Sequence, residues 1–95
     1  MDLSSVEVVD NTTDRQFELA LEGDIALIAY RLVADNVYAL DHTEVPESFE
    51  GKGVGSALVE KTLKLIESRG GKIIPYCPFV RAYLQRHPDW NRLVQ

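Results

Sequence analysis

Between two strand-like segments of this chain lies one helix-length stretch, and that order constrains the fold more than any other feature. Residues 37–45 (VYALDHTEV) and 72–76 (KIIPY) carry the β-branched and aromatic residues that suit strands. From residue 53 to about residue 69 the pattern is helical. Val54, Ala57, Leu58 and Leu65 recur at spacings of three and four with Thr62 between them, while Glu60, Lys61, Lys64 and Glu67 take the polar side. Lys64, Arg69 and Lys72 suit the negative end of such a helix, and Gly70-Gly71 stops it. A helix of this length spans about 25 Å, enough to carry the chain back across a sheet. The flanking strands are then expected to be parallel, joined by a right-handed crossover.

The earlier half reads as short strands joined by tight turns. Residues 6–10 (VEVVD) form a first strand, and residues 11–14 (NTTD) a polar turn. Residues 15–21 (RQFELAL) alternate apolar Phe17, Leu19 and Leu21 with polar neighbours, the mark of a strand with one buried face. Glu22-Gly23-Asp24 is a turn, residues 25–33 (IALIAYRLV) a central strand, and Ala34-Asp35-Asn36 another turn. The three strands from residue 15 onward form an antiparallel meander. Beyond the crossover, Pro78 opens a second helix over residues 79–86, with Phe79, Val80, Tyr83 and Leu84 as its apolar stripe. His87-Pro88-Asp89-Trp90 ends it and begins a short tail. The expected fold class is α/β (α+β): one domain over residues 1–95, a mostly antiparallel sheet with a parallel last pair, and two main helices.

A chain of 95 residues buries only about 60–65% of its unfolded surface, so one compact core is all it can build. Its net charge of −5 argues against a nucleic-acid backbone or an anionic membrane as partner. That charge is compatible with a cationic or amine partner. No apolar run approaches 18 residues, and the N-terminus has neither a basic start nor an apolar core, so neither a membrane span nor a signal peptide is expected. The cytoplasm is the expected compartment, and a monomer or weak dimer the expected state. Cys77 is the single cysteine, and His42 and His87 lack ligand spacing, so no metal site is expected.

The loop feeding the long helix is Glu50-Gly51-Lys52-Gly53-Val54-Gly55-Ser56. Alternating glycines leave backbone N–H groups unshielded, and a helix start adds unpaired donors and partial positive charge. Together these suit a phosphate or pyrophosphate. The loop is not a P-loop, because Lys52 is followed by Gly53 rather than Ser or Thr. Nor is it a dinucleotide fingerprint, because Ser56 or Leu58 stands where a third glycine is required.

The loop does resemble motif A of the GNAT acetyltransferase superfamily, Gln/Arg-x-x-Gly-x-Gly/Ala at the start of the helix after the fourth strand. The resemblance extends through His42-Thr43-Glu44-Val45-Pro46, Ile73-Ile74-Pro75-Tyr76-Cys77-Pro78-Phe79-Val80 and Tyr83-Leu84-x-x-His87-Pro88, and looks like the minimal single-domain branch of that superfamily. It implies binding of acetyl-CoA or coenzyme A as co-substrate. Backbone amides of the loop, from Gly51 through Lys52, Gly53, Val54, Gly55 and Ser56, would hold the pyrophosphate. The fourth strand near Glu44 and Val45 would splay from the fifth near Ile74 and admit the pantetheine arm. Pro46 fits there, having no N–H to leave unpaired. Glu50 departs from the family's Gln or Arg, so the backbone must do the binding and the carboxylate is expected to point away.

Candidate chemistry follows from the same placement. Cys77 stands just before a helix start, which favours a thiolate; the resemblance makes it a possible acetyl acceptor, and its residue type equally suits a buried core position. Glu44, with His42 on the same strand face, reads either as a general base for an amine that must be neutral to react or as a solvated strand residue. The resemblance puts Tyr83 where larger members carry a tyrosine that protonates the leaving thiolate, while its spacing from Phe79 and Val80 makes it a core aromatic, the role favoured here. Arg81 and Arg86, on the second helix, are candidates to meet the charged adenosine end, their direction left open by the sequence. The leading expectation is acetyl-CoA-dependent N-acetyl transfer to a small-molecule or protein amine. The alternatives are a non-catalytic coenzyme A-binding module, and an interaction domain whose glycines only permit a tight turn.

Overall fold

The computed structural model describes residues 2–95. Strands β1 (Val8–Asn11), β2 (Gln16–Leu21), β3 (Asp24–Ala34) and β4 (Val37–Glu44) are followed by a 3-10 turn (Glu47–Phe49), helix α1 (Val54–Ser68), strand β5 (Lys72–Pro75), helix α2 (Pro78–Arg86) and a 3-10 helix (Pro88–Leu93). The sheet runs in the order β1-β2-β3-β4-β5. Its first three pairings are antiparallel and the last, across the α1 crossover, is parallel.

Two elements differ from expectation. The first strand begins at Val8 rather than residue 6, because its pairing with β2 starts at Val8↔Leu19. The C-terminal segment is an ordered 3-10 helix rather than a tail. Pro88 suits its first turn, Leu93 is buried, and Val94 bridges to Ile73 at the free edge of β5.

One sheet face carries the core. Phe17, Leu19, Ala26, Ile28, Tyr30, Tyr38 and Leu40 pack against Leu58, Val59, Leu63 and Ile66 of α1. The rings of Phe17 and Tyr30 stack at 4.6 Å. The Tyr30 hydroxyl donates to Asp10 at 2.6 Å, and Arg69, at the end of α1, donates to the same carboxylate at 2.8 Å. This ties the end of the helix to the edge strand.

Two irregularities in β4 position the site. Ala29 pairs with His42 but Tyr30 pairs with Leu40, so Asp41 is an extra residue. Such a bulge shifts the alternation of side chains by one. Thr43, paired with Ile28, therefore shares the core face with Leu40, while His42 and Glu44 share the open face with Ala29 and Leu27. Arg31 pins the bulge with two hydrogen bonds to Asp41, at 2.7 and 2.9 Å. Its guanidinium holds that carboxyl below the usual carboxylate range. The second irregularity is a splay. Pairing of β4 with β5 ends at Leu40↔Pro75, and the Leu40 carbonyl accepts the N–H groups of both Tyr76 and Cys77, at 3.1 and 2.9 Å. Pro75 has no N–H to offer, and Pro78 begins α2. Residues 41–44 continue alongside β3 with no partner in β5.

Candidate functional site

The loop before α1 is held open by backbone conformation. Gly51 and Gly53 have φ of 76° and 79°, left-handed values that L side chains resist. A Cβ at either position would meet nothing within 4 Å, so the requirement for glycine is conformational and not one of space. Gly53 caps α1 with no side chain closing the cap, and no acidic residue stands in the first turn. The Glu50 N–H donates to the Glu47 carbonyl at 3.2 Å, and the Ala57 N–H to the Gly53 carbonyl at 3.1 Å. Between them, among the described residues, no amide of residues 51–56 donates to a backbone carbonyl. These unpaired donors sit at the positive end of a 15-residue helix.

They border an open cleft of about 450 Å³. Thr43 of β4 and Val45, just past its end, line it on one side, and Phe49 and Glu50 from the approach to the loop. Gly51, Gly53, Val54, Gly55 and Ser56 form the loop side, with Phe79 and Arg86 of α2 completing the wall. Gly55 serves a different purpose from the other two glycines. It lies within α1, and a Cβ there would stand 2.5 Å from Cζ of Phe79, so its smallness lets that ring approach the helix. Lys52 lies outside the cleft lining, with its ammonium 5.9 Å from the centroid of the Phe49 ring. Glu50 is also among the residues that border the cleft.

The candidate catalytic residues separate. His42 Nε2 and Glu44 Oε2 lie 2.8 Å apart as a pair, with side chains 56% and 65% exposed. The bulge sets this pair on the open face of the sheet, opposite Thr43. Cys77 is 2% exposed and forms no part of the cleft wall. Its sulfur lies 3.3 Å from the Thr43 hydroxyl, and it stands as the N-cap of α2. Tyr83 is buried, its ring 4.3 Å from that of His87, and burial followed by the charge of Glu60 pushes its phenol above the ordinary value. It is a core residue, as its spacing suggested. Arg81 lies on a different surface, with Pro75 and Leu84.

Sequence reasoning did not single out Thr43, Phe49 or Phe79 as cleft residues. The one available signal was the third glycine: an alternating series that continues into a helix implies a bulky neighbour packed on its first turn. Among the described residues no cluster of His, Cys, Asp or Glu could hold a metal ion, and no helix is long and apolar enough to cross a membrane.

Comparison with known proteins bears on this geometry. A family model described as GCN5-related N-acetyl-transferase matches residues 16–93. Protein NATD1 of Xenopus tropicalis is 30% identical over 87 residues, covering 90% of this chain and 80% of that protein. Protein NATD1 of Homo sapiens is 28% identical over 85 residues, covering 87% and 75%. The NMR solution structure of a GCN5-like protein from Staphylococcus aureus superposes with a TM-score of 0.70 at 26% identity, covering 97% of this chain and 90% of that one.

Proposed function

This chain belongs to the GCN5-related N-acetyltransferase family, and on that footing we propose that it moves the acetyl group of acetyl-CoA onto an amine. The observation that carries the proposal is the run of unpaired amides at residues 51–56, set beside the point where β4 leaves β5. Amide donors at a helix start match a pyrophosphate in charge and in hydrogen bonding. The left-handed glycines leave the space above them free of side chains, so the residues present fit the coenzyme. When bound, acetyl-CoA supplies an activated acetyl thioester.

The chain's own groups divide the work. The amides of residues 51–56 hold the pyrophosphate. The backbone of residues 41–44, without a β5 partner, offers hydrogen bonds to the pantetheine arm. His42 and Glu44, 2.8 Å apart, project from that same unpaired segment on the sheet face opposite Thr43. An amine arriving from that face must be neutral to attack, and this pair is placed to take its proton. The burial of Cys77 favours direct attack over a relay through its sulfur.

Thiol release from acetyl-CoA, followed over a panel of primary amines, tests this reading. Acceptor-dependent release that falls at least tenfold in Glu44→Gln, with coenzyme A affinity retained, is the expected result. Tight coenzyme A binding with no release for any amine would leave a binding module in its place.

A further inference from the structure

We infer that Arg86 supplies the side-chain charge with which the cleft grips a phosphate of coenzyme A, an inference that rests on the reading of the cleft as the coenzyme site. Arg86 is the single cationic residue in the wall of the cleft, and Glu50 the single anionic one. Among the described residues the two form no ion pair with each other or with any other group. That sets Arg86 apart from Arg31, Arg69 and Arg92, whose guanidinium groups are paired with Asp41, Asp10 and Glu67. Lys52, the loop's own cation, is outside the cleft lining.

Position along α2 supports the same assignment. Cys77, at the start of that helix, touches Thr43 at the splay, where the thioester end of the arm is read to lie. Phe79 packs on Gly55 at the start of α1. Arg86 is seven residues beyond Phe79, two turns along the same helix face and about 10 Å farther from the splay. The cleft wall includes both residues, so Arg86 falls toward the end that holds the phosphates. A guanidinium offers a planar pair of donors that fits a phosphate. The acid at Glu50 puts negative charge beside the loop, and Arg86, on α2, supplies positive charge from another part of the same wall.

Calorimetric titration with coenzyme A and with dephospho-coenzyme A (which lacks the ribose 3′-phosphate) tests this. Arg86→Ala is expected to weaken coenzyme A binding about fivefold, with an unchanged melting temperature. Arg86→Lys is expected to recover part of the loss, and Arg81→Ala, on another surface, to bind as wild type does. A loss confined to coenzyme A assigns Arg86 to the 3′-phosphate, and an equal loss for both ligands assigns it to the pyrophosphate. Wild-type affinity in Arg86→Ala overturns the inference, as does an equal loss in Arg81→Ala. A wild-type protein that binds neither ligand overturns instead the reading of the cleft, and the inference falls with it.

Discussion

The ring of Phe79 fills the place where a side chain on Gly55 would begin: a Cβ built on Gly55 would stand 2.5 Å from Phe79 Cζ. The contact couples the first turn of α1 to α2 and sets the width of the cleft between them. Gly55 is buried while the Phe79 ring is part-exposed, so the ring is the partner that can give way.

Gly55→Ala should therefore separate stability from binding. Gly55 has no left-handed φ, so alanine is compatible with its backbone and restricts the unfolded chain by about 0.4–1 kcal/mol, which offsets the displacement of an exposed ring. The melting temperature should move little, while coenzyme A affinity falls because Phe79 is pushed along the cleft wall. A variant that loses stability and affinity in parallel would mean that the ring cannot move.

Glu50→Gln tests the electrostatics of the same wall. Glu50 borders the cleft and has no cationic partner among the described residues. Removing its charge should raise coenzyme A affinity about twofold to fivefold at low ionic strength, and less in high salt, as expected for an exposed charge. Titrations at two salt concentrations read this directly. An unchanged or weaker affinity would mean that the carboxylate lies outside the field of the phosphates.

Much of this architecture was legible in the sequence, and the limits have physical causes. Residues 15–21 alternate with strand period, residues 25–33 and 37–45 are rich in strand formers between short turns, and α1 carries an apolar stripe between two strands; local pattern suffices for all of these. The bulge at Asp41 is different. One unpaired residue reverses which of His42, Thr43 and Glu44 face the core, and nothing in the alternation of VYALDHTEV announces it. Pairing with β3 and the clip from Arg31, ten residues away, decide the matter, and both are contacts between strands that the pattern of one strand does not carry. For the same reason Phe79 and Arg86 could be placed on a helix but not in a cleft. The sides they present depend on how α2 packs on α1.

Cys77→Ala separates direct attack from a relay. With the sulfur buried beside Thr43, the substitution should leave turnover unchanged and cost about 1 kcal/mol of stability through the cavity it leaves. Rapid-mixing kinetics that show an acetyl burst in the wild type, lost in the variant, would restore the relay.

Tyr30 gives the fold an alkaline limit. Burial, then its hydrogen bond to Asp10, pushes its phenol from 10.0 up to about 12. Because the folded value is the higher one, the contribution is fully present below pH 10 and is lost as pH rises through about 12. Denaturant titrations should show wild-type stability falling across that window by up to roughly 3 kcal/mol. Tyr30→Phe should be less stable at neutral pH, lacking the bond to Asp10, yet flatter across the window. An equally steep decline in the variant would assign the transition to other groups.

The central claim is that the amides of residues 51–56 receive the coenzyme's pyrophosphate. Amide proton and nitrogen shifts, followed by NMR as coenzyme A is added, report on those groups one by one. The account predicts large, saturable downfield shifts concentrated at Gly53, Val54, Gly55 and Ser56, with smaller changes at Thr43 and Val45. Saturable binding that leaves these amides unmoved and shifts another surface instead would contradict it.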